Sequence, residues 1–287
     1  MALVSMQAML GTARGSGSAV GAFNILEYNS MRAVVAAAEE LRSPVILQTS
    51  PKTVEFWGAP TLAAWARQLA EPSAIPVALH LDHCRSLDLI RVCIRAGWTS
   101  VMIDASARPF EENLAMTRDV LALAEPAGVS VEAEMGEIAG VEDELSVAES
   151  RARLADPEKA AVFCSQVSLS AFAPAIGTAH GTYKGEPKLD FDRLAEIGRR
   201  VDVPLALHGG TGLPDEVVKR CIGLGCAKIN ISTALKHAFI DGFVEPHTER
   251  PKYDPLVLLA SQFDRVKATV SDGIALFGSA GQAAGLK

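Results

Sequence analysis

The 287-residue chain is 49% hydrophobic and 21% charged, the balance of a well-cored globular protein and not of a disordered or fibrous one. A net charge of −7 leaves no basic footprint, which excludes nucleic acid as the expected partner, and no apolar run approaches the roughly 18 residues that a membrane helix needs. Five cysteines, odd in number and without a C-x-x-C spacing, and an N-terminus without a basic leader point to a reducing, cytoplasmic setting.

Short β-rich runs alternate with longer helical patterns along the chain. Arg14–Gly21 (RGSGSAVG) reads as a glycine-rich turn ahead of the first strand, on the face away from any catalytic mouth. Strands are predicted at Ala19–Asn24, Pro44–Gln48, Pro76–Leu81, Ser100–Ile103, Val129–Glu134, Leu169–Ile176, Pro204–Leu207 and Lys228–Ile231. Helical patterns fall between them, as in MRAVVAAAEELR after the first and DEVVKRCIGLG after the seventh. Prolines at 44, 76 and 204 open strands, and glycines at 97, 128 and 225 stop helices. Gly136–Arg151 is long, acidic and aperiodic, the pattern of a mobile loop after the fifth strand that serves as a lid or as a solvated excursion. Asp254 to Phe277 reads as a C-terminal helix within a tail running from about 254 to 287. Eight strand–helix units imply parallel strands with right-handed crossovers. An open doubly wound sheet holds six or seven such units, so the count favours a (β/α)8 TIM barrel forming a single domain over 1–287.

In such a barrel the C-terminal ends of the strands share one bowl. His83, His180 and His208 fall at the ends of strands three, six and seven. A single histidine is most simply a hydrogen-bonded core residue, but three neutral imidazoles leaving one open position are the ligand set of a catalytic zinc. His80, His237 and His247 keep the core or surface reading. Asp82 at the same mouth is placed either to move a proton at a substrate hydroxyl or to orient a zinc histidine. Asp104 and Glu134 end strands four and five and read as outer partners of the ligands or as an alternative resting place for the metal. Cys84 reads as a buried thiol. His208-Gly209-Gly210-Thr211-Gly212-Leu213-Pro214 runs from strand seven into a helix, and Asn230-Ile231-Ser232-Thr233 does the same after strand eight, with Ser232 or Thr233 able to cap the next helix. Successive glycine N–H groups at helix starts suit a phosphate, and these two loops are where barrels commonly bind one.

Taken together, HLDH at 80–83, VEAEMG at 131–136, IGTAHGTYKGEP at 176–187, LHGGTGLP at 207–214 and AKINIST at 227–233 resemble the class II ketose-bisphosphate aldolases, closest to the tagatose-bisphosphate-like branch and its fructose-bisphosphate relatives. The resemblance covers nearly the whole chain in order. It implies reversible aldol cleavage of a phosphorylated ketose to dihydroxyacetone phosphate and an aldehyde, in a homodimer or homotetramer. It implies Zn2+ held by His83, His180 and His208, with Asp82 giving a proton to the nascent hydroxyl. Glu142, in the loop, matches the carboxylate that exchanges the C–H proton. Gly181, Gly209 to Thr211 and Asn230 to Thr233 match positions holding dihydroxyacetone phosphate, and Asn24 and Ser50 match further substrate contacts. A monovalent cation, Na+ or K+, often assists these phosphate loops. The chemistry stands without the family: removing a proton beside a ketone builds negative charge on oxygen, which a divalent ion stabilises by several kcal/mol.

The chain also departs from the pattern. Where many relatives carry Asp-Pro-Arg near the C-terminus it reads Asp254-Pro255-Leu256, Ser232 stands where fructose-type relatives have aspartate and tagatose-type ones a small residue, and the glycine loop is Gly-Gly-Thr instead of the commoner Gly-Ala-Ser. The missing arginine points to a short or unphosphorylated aldehyde, with Lys236 as a partial substitute. Two rival functions are a metal-free lyase forming a Schiff base on Lys228 and a non-catalytic sugar-phosphate-binding helper subunit on the same barrel.

Overall fold

The computed structural model describes residues 3–142, 145–147, 153–183, 185–249 and 253–285, without the side chains of 141, 142, 145–147 and 285. Its central strands are β1 (Val20–Asn24), β2 (Val45–Thr49), β3 (Val77–Cys84), β4 (Ser100–Ile103), β5 (Ser130–Met135), β6 (Ala171–Pro174), β7 (Leu205–Leu207) and β8 (Cys226–Ile231). All neighbours pair in parallel and β8 closes onto β1, so each strand lies beside its sequence neighbours in a complete barrel. The helices are α1 (Met6–Ser16), α2 (Tyr28–Glu40), α3 (Pro51–Trp57), α4 (Ala59–Ala70), α5 (Leu87–Ala96), α6 (Phe110–Ala124), α7 (Pro157–Gln166), α8 (Phe191–Arg200), α9 (Asp215–Gly223), α10 (Thr233–Glu249) and α11 (Pro255–Phe277). None among the described residues is long and apolar enough to cross a membrane.

Strands buried on both faces need apolar residues on both, which is why β1 to β3 read as near-continuous hydrophobic runs. Phe23, Leu47, Leu79, Val101, Phe172 and Ile229 point outward into the core beneath the helices. The inward faces split into two layers. At the N-terminal end of the strands Val20, Ala22, Ile46, Ala78, Ala171, Ala173, Ala206 and Ala227 meet Met6, Met9, Leu10 and Ala13 of α1. Nearer the C-terminal end the interior turns polar: Gln48, His80, Asp82, Glu132, Glu134, His208, Lys228 and Asn230 are all buried. An apolar floor sealed by a helix and a polar ceiling leave the mouth as the place for chemistry.

Two elements differ from expectation. Arg14–Ser16 closes α1, and only Gly17 onward is a turn, Gly17 taking φ +67 as the helix stop. The inward positions 6, 9, 10 and 13 do follow helical spacing, but Gly11 and Gly15 depress the local propensity enough to hide it. The aperiodic stretch after β5 carries two short strands, Ala139–Glu142 and Leu145–Val147, paired antiparallel. The first also runs parallel to the two-residue strand Ala179–His180 beyond β6.

The C-terminal helix forms as its pattern predicts: Asp254 caps α11, which buries Val266, Val270, Ile274 and Phe277 against α10, α2 and β1. Beyond it, Gly281 and Ala283 donate backbone hydrogen bonds to Leu41 and Arg42, stitching the tail to the end of α2.

Leu10 is fully buried in the floor, whereas Val92 is 49% exposed on α5. Leu10→Ala is expected to lower the unfolding free energy by about 2–5 kcal/mol. Val92→Ala should change it by less than about 0.5 kcal/mol; urea denaturation midpoints read both.

Candidate active site

Neighbouring residues of a regular strand face opposite ways, yet Asp82 and His83 both serve the mouth. The β3–β4 register slips between Leu81, opposite Val101, and Cys84, opposite Ile103, so Asp82 and His83 together face Met102. His83 takes φ 46, a left-handed conformation rare for a side-chain-bearing residue. Its N–H donates to Met102 Sδ at 3.4 Å. Such a bulge re-aims side chains, and strained backbone of this kind gathers at functional sites.

His180 lies beyond its strand, six residues after Pro174, and its backbone is gripped from two sides. A Cβ on Gly140 would stand 2.2 Å from the His180 carbonyl oxygen, and one on Gly209 would stand 2.5 Å from that of Ala179. Only glycine allows these approaches, and both take positive φ (+103 and +68). The Tyr183 hydroxyl completes the grip, accepting from Ala179 N–H at 3.1 Å and donating to Gly209 O at 2.9 Å.

His208 follows β7, with Nδ1 2.9 Å from His83 Nε2 and Nε2 2.8 Å from Glu132 Oε1. One ring nitrogen from each of His83, His180 and His208 falls within 4.8 Å of the others. Ligands of a tetrahedral zinc with bonds of about 2.0–2.1 Å stand roughly 3.3–3.4 Å apart, so the three can close on one ion. Burial pushes the His208 imidazole below its ordinary range despite the opposing pull of Glu132, which favours the neutral form that binds metal. Asp104 Oδ2 and Glu134 Oε2 lie 3.5 Å and 3.9 Å from His83 Nδ1, and Glu134 Oε2 is 3.5 Å from His208 Nδ1. Burial would raise the Asp104 carboxyl, but the His83 ring and Arg85 hold it well below the usual range. Burial and the Asp104 charge push Glu134 well above it, and its Oε2 has no hydrogen-bond partner among the described residues. A buried carboxyl oxygen left over beside two imidazoles fits a nearby cation, whose charge would favour the ionised form, and this is compatible with either reading of Asp104 and Glu134.

Asp82 is held by side-chain amides: Gln48 Nε2 donates to Oδ2 at 2.9 Å and Asn230 Nδ2 to Oδ1 at 3.3 Å. Gln48 also donates to Asn24 Oδ1 at 2.7 Å, tying Asn24 to the same network. Ser50 Oγ accepts from Thr53 N–H and caps α3. His180, Gly181, Gly209, Gly210, Thr211, Asn230, Ser232 and Thr233 line one cavity beside the imidazoles. Gly210 N–H binds the Asn230 carbonyl, joining the two loops. The Ala234 N–H at the start of α10 is accepted by Thr211 Oγ1 at 3.3 Å, so a cap comes from the glycine loop. Ser232 Oγ is buried without a hydrogen-bond partner among the described residues. The Ile231 side chain packs outward into the core, leaving only its backbone for the cavity. The Glu142 side chain lies outside the described residues.

Of the residues set aside, His80 is a core group bonded to Ser100 Oγ at 2.7 Å, and His237 and His247 sit on α10. Burial pushes the Cys84 thiol up to about 11, away from the thiolate that binds metal. Lys228 is fully buried, its Nζ 3.0 Å from Glu132 Oε2 and donating to Asn230 Oδ1 at 2.7 Å. An ammonium so engaged lacks the free lone pair that a Schiff base needs. Glu132 escaped the sequence reading although VEAEMG carries the signal: residues 132 and 134 alternate onto the same inward face. Burial would raise the Glu132 carboxyl, but Lys228 and His208 hold it well below its ordinary range.

A family model described as fructose-bisphosphate aldolase class-II matches residues 4–282. The chain is 43% identical over 287 residues to a probable fructose-bisphosphate aldolase of Bacillus subtilis, covering 99% of this chain and 100% of that one. It is 45% identical over 251 residues, 88% of each, to the D-tagatose-1,6-bisphosphate aldolase subunit GatY of Klebsiella oxytoca. Among solved structures, the YdjI aldolase of Escherichia coli superposes with a TM-score of 0.87 at 33% identity, covering 98% of this chain and 99% of that one.

A methyl group at Gly140 collides with His180 backbone atoms that cannot rotate away. Gly140→Ala is therefore expected to weaken zinc binding by at least about tenfold while leaving barrel unfolding nearly unchanged. Competition against a chromophoric chelator measures the first and thermal denaturation the second.

Proposed function

The chain belongs to the class-II fructose-bisphosphate aldolase family, and from that premise we propose that it reversibly cleaves a phosphorylated ketose to dihydroxyacetone phosphate and an aldehyde at the barrel mouth. It is a lyase of the zinc-dependent aldolase class. The observation that carries the assignment of residues is the meeting of His83, His180 and His208 beside a glycine-lined cavity. The donor set fits zinc: three nitrogens, a nearby buried carboxylate oxygen, and an imidazole kept neutral by burial. Zinc bound there supplies Lewis-acid polarisation of a substrate carbonyl.

The residues of the chain do the rest. Gly181, Gly209 to Thr211 and Asn230 to Thr233 hold dihydroxyacetone phosphate, with its phosphate at the positive end of α10. Ser232 Oγ, which lacks a hydrogen-bond partner among the described residues, supplies a further donor. That grip orients the ketone end and removes much of its freedom before reaction. Asp82, fixed by the amides of Gln48 and Asn230, takes the proton of the ketose hydroxyl as the carbon–carbon bond breaks and the aldehyde forms. The bonding electron pair stays on the carbon beside the ketone, which Glu142 then protonates to give dihydroxyacetone phosphate. In condensation the same groups run in reverse. Asn24 and Ser50 contact the substrate from the ends of β1 and β2. A Na+ or K+ beside the phosphate loops is part of the same proposal, supported by kinship alone.

The acceptor side differs. Leu256 is 76% exposed at the start of α11, where the resemblance implies an arginine in many relatives, and Lys236 stands half-buried on α10. The aldehyde is accordingly short or unphosphorylated. Ile240, Val244, Leu256, Val257 and Leu259 expose apolar side chains on the α10–α11 hairpin, which supports assembly as a homodimer or homotetramer. Five free thiols support a cytoplasmic location.

Two measurements test these statements. Dialysis against a chelator is expected to abolish cleavage and zinc to restore it, while borohydride with dihydroxyacetone phosphate traps no adduct on Lys228; a trapped adduct contradicts the assignment. An arginine on a phosphate is worth about 1.5–3 kcal/mol, and a tenfold rate needs about 1.4 kcal/mol. Without it, kcat/KM for glyceraldehyde 3-phosphate should exceed that for glycolaldehyde by less than about tenfold; a strong preference for the phosphorylated aldehyde refutes the acceptor proposal.

A further inference from the structure

Lys228 has no task in the chemistry above, yet it occupies the centre of the polar layer. Among the described residues no other lysine or arginine is buried. An ammonium offers three donors and no acceptor, so each polar neighbour must turn an acceptor toward it. Glu132 does so with both oxygens, Oε2 at 3.0 Å and Oε1 at 3.3 Å, and Asn230 does so with Oδ1 at 2.7 Å.

Each contact has a consequence one residue further on. A carboxylate beside an ammonium accepts only, so His208 Nε2, 2.8 Å from Glu132 Oε1, must be the protonated ring nitrogen. The lone pair is left on Nδ1, the nitrogen that faces His83. On the other arm, Asn230 has spent its oxygen on Lys228, so its N–H2 faces Asp82 Oδ1 at 3.3 Å. The flipped amide would set N–H2 against the ammonium and a carbonyl against the carboxylate, two repulsions in place of two bonds. His80 lies behind this network, its Nε2 3.6 Å from Glu132 Oε2.

We infer that Lys228 is a positioning residue whose single buried ammonium fixes the hydrogen-bond polarity of both arms, aiming the His208 Nδ1 lone pair at the metal and an Asn230 N–H at Asp82. Only the Asp82 arm rests on the aldolase reading; the imidazole arm depends on metal binding alone. The contrasting role is structural, with Lys228 serving only to neutralise Glu132 inside the barrel.

The test uses the full-length protein. In the wild type, long-range proton–nitrogen NMR of the histidine rings should show His208 protonated at Nε2, zinc-free and zinc-loaded; protonation at Nδ1 overturns the inference without any variant. Lys228→Met is expected to weaken zinc by at least about tenfold, read by chelator competition, and to lower Tm by leaving Glu132 unbalanced. Adding Glu132→Gln should bring Tm back, because no buried charge remains. It should not bring back zinc affinity, since a glutamine can present either its oxygen or its N–H2 to His208. Recovery of zinc affinity together with Tm in the double variant, or wild-type zinc affinity in Lys228→Met, makes Lys228 a charge balance and overturns the inference. None of these readouts needs a substrate, so their failure is distinguishable from failure of the aldolase assignment.

Discussion

Three imidazoles can share one ion only if strands distant in sequence end on a common rim, and barrel closure supplies that rim. His83, His180 and His208 are separated by 97 and 28 positions (180 − 83 and 208 − 180), yet their ring centroids lie 4.9, 4.6 and 6.1 Å apart. The contact between β8 and β1 is therefore more than a packing detail. Without it the two loops that line the glycine-rich cavity and the strand that carries Asp82 and His83 would not face one another. The left-handed backbone at His83 belongs to the same constraint, since an unbulged strand would send either Asp82 or His83 into the outer core.

The interior divides its labour along the barrel axis. Alanines and α1 fill the N-terminal layer with apolar volume, which stabilises the fold. The C-terminal layer buries Asp82, Glu132, Glu134, His80, His208 and Lys228, groups that are costly to desolvate unless bonded. Their mutual hydrogen bonds offset that cost only partly: Glu134 Oε2, Gln48 Oε1 and Ser232 Oγ lack hydrogen-bond partners among the described residues. Tolerating such a layer makes sense where a cation and an oxygen-rich substrate complete it.

The strand order and the histidine positions were legible because both follow from local rules. Proline-led apolar runs and glycine stops locate β4 at Ser100–Ile103 and the other strands to within a few residues. Histidines just past such runs fall on the rim by topology alone. What escaped the sequence depends on partners far away. The short strand Ala139–Glu142 forms against Ala179–His180, and nothing in its own acidic composition announces that pairing. Lys228 and Glu132 are 96 positions apart, so the sequence could show a buried lysine as a candidate nucleophile but not the carboxylate that engages it. The cap on Ala234 comes from Thr211 in the preceding loop, where local spacing pointed to Ser232 or Thr233.

Zinc K-edge absorption spectroscopy on the loaded, full-length protein tests the central claim most directly. A centre held by His83, His180 and His208 predicts three imidazole nitrogens at about 2.0–2.1 Å with their outer-ring scattering and one oxygen donor. A sulfur scatterer at about 2.3 Å, or an all-oxygen shell without imidazole scattering, would contradict it.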